Sequence, residues 1–179
     1  GVAFLKDEDP STFWHSDYSN SYSDGTSGKK KGQDGLQCFM VDMAEVCSFD
    51  RITYAGRSNG GNNWATKVRV YAFEELPSGW PKDGDTYKAL SALSYTEKED
   101  LLKKDDNTVL GTPIFDNNDA AWASDQNIKT IDFTEAKSGR YILFVADATS
   151  STNGYLTCSD FHVWQKLDGI VADKPYFLK

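Results

Sequence analysis

The densest chemistry in the chain lies in Lys6-Asp7-Glu8-Asp9-Pro10-Ser11-Thr12-Phe13-Trp14-His15-Ser16-Asp17-Tyr18. Three consecutive carboxylates run into Pro10, which fixes φ and has no N–H to give to a helix, so the segment reads as a turn. A turn that gathers carboxylate, hydroxyl and carbonyl oxygens suits a hard cation such as Ca²⁺. Directly after it, Trp14 brings a large apolar body and His15 a neutral ring with one donor and one acceptor nitrogen. The plainer reading is an acidic surface turn, with Trp14 in the core and His15 incidental.

Other chemistries lack their residues. The only histidines are His15 and His162, so a His-Glu-x-x-His zinc helix is absent, as are Cys-x-x-Cys pairs. There is no phosphate-binding Gly-x-x-x-x-Gly-Lys-Ser/Thr loop. Gly56-Arg57-Ser58-Asn59-Gly60 has the Gly-x-Ser-x-Gly spacing, but the segment that follows, Thr66–Phe73, alternates as a strand and not as the helix a nucleophile elbow leads into. A glycosidase needs only two carboxylates, and 27 Asp and Glu supply many pairs. Carboxylates set beside Pro and Thr in a turn fit a cation better than an acid/base pair.

The run Asp7-Glu8-Asp9-Pro10-Ser11-Thr12-Phe13-Trp14-His15-Ser16 resembles the opening motif of discoidin-like domains, the factor V/VIII C-type or galactose-binding jelly rolls. That motif usually reads Asp-Gly-Asn/Asp-Pro-x-Thr-x-Trp-x-Ser/Thr, and its sugar-binding branch often has His after the Trp. Glu8 stands where glycine is common; a positive φ there would strain the turn. The resemblance covers most of residues 5 to 166 and implies a jelly-roll β-sandwich.

It also implies two sites. For a sugar, His15, Arg57, Asn63 and Tyr155 match the family's binding positions in order, with Trp64 and Tyr18 as further aromatic platforms. His15 and Arg57 would hold an axial hydroxyl, Asn63 would bridge two neighbouring hydroxyls, and Tyr155 would cover the apolar face of the ring. For calcium, Asp7, Asp9 and Thr12 would supply oxygens from the first motif, and Ser159-Asp160 would close the shell where the family has a small residue and Glu. Asp160 is one methylene shorter than Glu. Such an ion would be structural, tying the first loop to the last strand. The bland alternatives are an Arg57 surface ion pair, a turn role for Asn63, a core Tyr155 and two unrelated acidic turns.

These residues need a scaffold, and the chain of 179 residues is long enough for one domain with a real core. Ten Phe, nine Tyr and five Trp favour strands and ligand platforms. Strand candidates are Leu36–Met43, Ser48–Gly56, Thr66–Phe73, Lys129–Phe133, Arg140–Ala146 and Tyr155–Gln165, several of them alternating. In the third, Val68, Val70 and Ala72 alternate with Lys67, Arg69 and Tyr71. Residues 16–35 read as an exposed loop. The expected fold is all-β: a jelly-roll sandwich spanning residues 1–166, with a partly helical insertion around 74–127. There, Thr96-Glu97-Lys98-Glu99 looks like a capping box before a short helix that packs Leu90, Leu93 and Leu101 on the sandwich. Residues 167–179 read as a tail or linker, or as a strand covering an edge.

A net charge of −8 argues against nucleic acid and anionic membrane as partners. No apolar run approaches a membrane-spanning helix, and Gly1 reads as the start of a piece cut from a larger secreted protein. Cys38, Cys47 and Cys158 fit either one bridge plus a thiol or three buried thiols. The leading expectation is a non-catalytic carbohydrate-binding module for terminal galactose or N-acetylgalactosamine. It would belong to a larger secreted glycan-degrading enzyme or adhesin, extracellular or at the cell surface. Two alternatives are a discoidin-type adhesion domain binding protein or lipid, and a glycoside hydrolase domain. The first generally uses protruding apolar loops, and residues 16–35 hold no Leu, Ile, Val, Phe or Trp.

Overall fold

The structure is a computed structural model, and it describes residues 12–16, 37–58, 63–150, 154–165 and 175–176. The described chain is an all-β sandwich whose strands are antiparallel throughout. Its strands are β1 (Trp14–His15), β2 (Gln37–Ala55), β3 (Ala65–Phe73), β4 (Lys82–Asp83), β5 (Thr86–Tyr87), β6 (Phe115–Asp116), β7 (Lys129–Thr149), β8 (Thr157–Cys158), β9 (Asp160–Gln165) and β10 (Pro175–Tyr176). The main sheet has the order β10-β9-β2-β7-β3-β6, β1 pairs with β8, and β4 with β5 forms a small hairpin.

The strand candidates 36–43 and 48–56 are one strand, β2, and 129–133 and 140–146 are one strand, β7. The two run side by side, with register shifts between Asp42 and Cys47 and between Phe49 and Arg51. At the first shift Ala44 takes a positive φ of 69°, and its N–H donates to Asp42 Oδ1 at 2.8 Å. The irregular residues interrupt the alternation, which is why the sequence reads as two strands where a bulged one exists. The tail forms an edge strand: Pro175 and Tyr176 pair with Trp164 and Val163 of β9.

Alternation sorts β7 onto two cores. Ile142, Phe144 and Ala146 join Phe39, Val41, Ile52, Tyr54, Val68, Val70, Phe161 and Val163 in the main core. Leu143 and Val145 point the other way, onto Tyr71, Trp80, Leu93, Leu101, Leu102 and Leu110. The insertion therefore roofs the second face of the sheet. Each fully buried large apolar side chain contributes about 1.5–3 kcal/mol.

This roof buries Arg69 and Tyr71, which alternate with Val68 and Val70 along β3. Arg69 is 2% exposed. Its guanidinium forks onto Asp147, Nε to Oδ2 at 2.8 Å and Nη2 to Oδ1 at 2.7 Å. It also donates to Tyr71 Oη at 2.7 Å and to the Leu102 carbonyl at 2.6 Å. Leu102 ends α1 (Tyr95–Leu102), so the guanidinium satisfies a carbonyl at the helix C-terminus. Burial works against this charge, but Asp147 and Tyr71 outweigh it and hold Arg69 above its usual pKa.

The capping box also lies elsewhere than expected. Ser94, not Thr96, is the N-cap; its hydroxyl accepts from Glu97 N, and the Glu97 carboxylate accepts from Ser94 N. Starting the helix there brings Leu101 and Leu102 into its last turn, buried on the sheet. Leu93 is buried and Leu90 partly so, as the packing role requires. All three cysteines are free thiols. Among the described residues no helix is long and apolar enough to cross a membrane.

Candidate functional site

The short strand β8 organises the site because chain segments join it on both sides. On one side β1 pairs His15 with Thr157, and Ser16 extends the pairing by exchanging hydrogen bonds with Leu156, N to O at 2.9 Å and Leu156 N to Ser16 Oγ at 3.0 Å. On the other side Thr157 N donates to Asn63 O and Ser159 N to Ala55 O, both at 2.8 Å. A buried Tyr54 rivets the junction: its hydroxyl donates to Thr157 O at 2.6 Å and accepts from Ala65 N at 3.0 Å. Burial lifts that phenol well above its usual pKa.

His15, Asn63 and Tyr155 meet at this junction, and Arg57 joins them through Phe13. His15 Nδ1 lies 2.5 Å from Ser16 O, which makes Nδ1 the protonated nitrogen and Nε2 the acceptor. The Asn63 amide nitrogen sits 3.3 Å from that Nε2. The Tyr155 ring stands 5.6 Å from the His15 ring, tilted by 54°. The Arg57 guanidinium lies over the Phe13 ring, 4.6 Å from its centroid, and Phe13 in turn is 6.4 Å from His15. His15, Arg57 and Tyr155 are partly exposed, while Asn63 is buried to 9% exposure. The arrangement offers an acceptor nitrogen, an amide, a guanidinium and two aromatic faces to one neutral, hydroxyl-rich ligand.

Trp64 differs from its expected role as an open platform. Its indole N–H donates to Arg57 O at 2.9 Å, and its ring lies against Gly56, where a Cβ would come within 2.1 Å of Trp64 Cδ1. Trp64 therefore pins the start of the Arg57 loop to its end, and Gly56 is the residue that makes room. Tyr18 lies outside the described residues.

The sequence matches the F5/8 type C domain over residues 2–161. The chain belongs to the F5/8 type C family. No curated protein matches it significantly. Solved structures of low identity share the fold of this F5/8 type C domain. A family 32 carbohydrate-binding module (CBM) of Clostridium perfringens NanJ, in complex with galactose, has 15% identity and a TM-score of 0.55, covering 90% of this chain and 82% of its own. The module CBM32-1 of a family 31 glycoside hydrolase from the same organism has 18% identity and a TM-score of 0.54, covering 93% and 84%. A C. perfringens GH89 module, CBM32-5, in complex with GalNAc-β-1,3-galactose, has 15% identity and a TM-score of 0.52, covering 89% and 80%.

The expected calcium ligands of the F5/8 type C domain fall partly outside the description: Asp7 and Asp9 do. Of the others, Thr12 precedes β1, and Ser159 and Asp160 follow β8. The β1–β8 register pairs Trp14 with Cys158, and Asp160 opens β9 and pairs with Ala55 of β2. The Ser159 hydroxyl is buried and turned to Gly56 O at 3.0 Å and Ala55 O at 3.2 Å. Its side chain thus braces the strands. Asp160 Oδ1 lies 3.8 Å from His162 Nε2. Among the described residues no three His, Cys, Asp or Glu side chains cluster as metal ligands.

Two contributors carry little signal of their own in the sequence. Phe13 stands out only through its place in the motif, although its i,i+2 relation to His15 on an extended segment puts both on one face. Ser150, which follows β7, has no motif around it, yet its hydroxyl receives two backbone N–H groups of the site.

Proposed function

We propose that this F5/8 type C domain is a non-catalytic carbohydrate-binding module for terminal galactose-type sugars, galactose or N-acetylgalactosamine. The observation that carries the proposal is the meeting of His15, Asn63 and Tyr155, with the Asn63 amide 3.3 Å from His15 Nε2 and the two rings 5.6 Å apart. A sugar hydroxyl is both donor and acceptor. Seated between these groups, it would donate to Nε2 and accept from the Asn63 amide, replacing one long direct contact with two good ones. Arg57 would donate to the adjacent or axial hydroxyl, and the Tyr155 ring would cover the C–H face. An axial hydroxyl directed at His15 and Arg57 favours galactose over glucose. The galactose and GalNAc-β-1,3-galactose named with two of the similar structures support the sugar class.

A shallow site buries few atoms of a monosaccharide, so affinity near 1 mM, about −4 kcal/mol, is expected. The module would serve a larger secreted glycan-acting protein, outside the cell or at its surface. We further propose a structural Ca²⁺ held by Asp7, Asp9, Thr12, Ser159 and Asp160, with Ser159 giving its backbone carbonyl.

The test is titration of the domain with galactose, N-acetylgalactosamine and glucose. The two galactose-type sugars should bind and glucose should bind much more weakly. Equal affinity for all three would overturn the sugar assignment. Steady turnover of aryl glycosides, lost on a single carboxylate substitution, would favour the hydrolase alternative instead.

A further inference from the structure

Asn63 is held in a backbone conformation that few residues other than glycine adopt, asparagine being the more tolerant of them. Its φ is 101°, in the left-handed half of conformational space where L-residues other than glycine are uncommon. The strain does not relax because both ends of the residue are tied down. Its N–H donates to Ser150 Oγ at 2.9 Å, and its carbonyl accepts from Thr157 N at 2.8 Å and Thr157 Oγ1 at 3.2 Å. The same Ser150 oxygen accepts from Trp64 N at 3.0 Å, while Ser150 N donates to Trp64 O at 2.8 Å. One hydroxyl thus receives two successive N–H groups across a sequence gap of more than 80 residues. Strain retained against such a cost is typical of functional sites, where surrounding structure over-determines the backbone.

We infer that Ser150 is a positioning residue of the sugar site: its hydroxyl clamps Asn63 in the left-handed conformation that aims the side-chain amide at His15 Nε2. The inference rests on the sugar-binding proposal for its functional meaning, but the clamp itself is independent of any sugar. Thr157 completes the clamp and belongs to both halves of the site, since it also pairs with His15. A serine serves at 150 because a small side chain brings an oxygen with two lone pairs to adjacent N–H groups. Ser150→Ala removes the acceptor and leaves both N–H groups without it, while every side chain proposed to touch the sugar stays in the chain.

Two sets of measurements on the ¹⁵N-labelled domain test this. The first needs no ligand. Asn63→Gly and Asn63→Ala both delete the amide, but only glycine is at ease at this φ. Asn63→Gly should therefore melt several degrees above Asn63→Ala, the reverse of their order at an ordinary strand or helix position. The imidazole nitrogen shifts of His15 should change in Ser150→Ala as Asn63 moves away from Nε2. The second is galactose titration followed by NMR. Ser150→Ala should weaken binding about tenfold, and Ser150→Thr, which keeps the oxygen, should stay within about threefold of the parent. Ser150→Ala that binds galactose like the parent, or Asn63→Gly that melts no higher than Asn63→Ala, would overturn the inference. Should the parent domain ignore every sugar, the sugar proposal falls, and the His15 shifts and the glycine–alanine comparison still judge the clamp.

Discussion

His15 is useful because its two nitrogens are committed in opposite directions. Nδ1 faces the Ser16 carbonyl at 2.5 Å, which leaves Nε2 as an acceptor on the side of Asn63 and Tyr155. His15→Ala should remove that acceptor, Arg57→Ala a donor pair and Tyr155→Ala the stacking face, each at about 1–3 kcal/mol of binding. From millimolar affinity, any one such loss puts binding beyond calorimetric detection. Galactose titration of the three variants checks this; undiminished binding in all three would mean the site lies elsewhere. Phe13 acts through Arg57, whose guanidinium it carries at 4.6 Å. Phe13→Leu keeps the bulk and removes the π face, so affinity should fall by about 0.5–1 kcal/mol with the fold unchanged. Melting curves and titration of that variant separate the two effects.

The insertion is a structural roof, and the β3–β7 ion pair buried beneath it is the place to test that. Arg69 is 2% exposed and Asp147 14% exposed. Removing Asp147 leaves the Arg69 charge buried with only neutral partners. Asp147→Ala should cost about 3–5 kcal/mol of stability, measured by denaturant unfolding. An apolar replacement of both, Arg69→Met with Asp147→Leu, should recover much of that loss. At the other end of α1, Lys88 and Ser94 hold the Glu97 carboxyl down to about 2. A carboxylate with a depressed folded pKa stabilises above the usual carboxylate range and loses that contribution as pH falls through its folded value. The helix N-terminus should therefore hold through mild acid and loosen only near pH 2, visible as helical signal in an acid titration that Glu97→Gln makes flat.

The whole molecule should be sensitive to alkali. Burial pushes the Cys38 thiol up to about 12 and raises Cys47 and Cys158 as well. Raised thiols mean that the folded state prefers them protonated. Their contribution is complete below the unfolded thiol pKa of about 8.5 and declines as pH rises above it. Stability from urea unfolding should fall steadily from about pH 8.5 upward, and a stability flat to pH 10 would contradict the burial of these groups. The same burial keeps the thiolate scarce, so alkylation of the native protein at neutral pH should be slow. The proposed Ca²⁺ belongs at this scale too, since it would tie the first turn to the last strand. Chelation should lower the melting temperature by mass action. An unchanged melting temperature with EDTA, and no metal on elemental analysis, would remove it.

The order of elements and the main core were legible in the sequence because alternation is a local property. Val68 and Val70, alternating with Lys67 and Arg69, announce a face by spacing alone, and that face is buried in the main core, whereas the unbroken apolar run Ile142–Ala146 announces a strand and not which side faces which core. Motif resemblance singles out His15, Arg57, Asn63 and Tyr155; the fold sets His15 beside Asn63 and Tyr155, with Arg57 reaching His15 by way of Phe13. What alternation cannot report is which other segment covers a face. Arg69 and Tyr71 alternate with the valines of β3, and only the tertiary structure lays Trp80, Leu93, α1 and Leu110 across that face. Nor does spacing reveal that Ser150, 87 residues from Asn63, supplies the acceptor for its N–H. The roof is set by how the insertion packs once the strands have paired, and the Ser150 contact by the β3–β7 pairing itself, which sets Ala65 opposite Thr149.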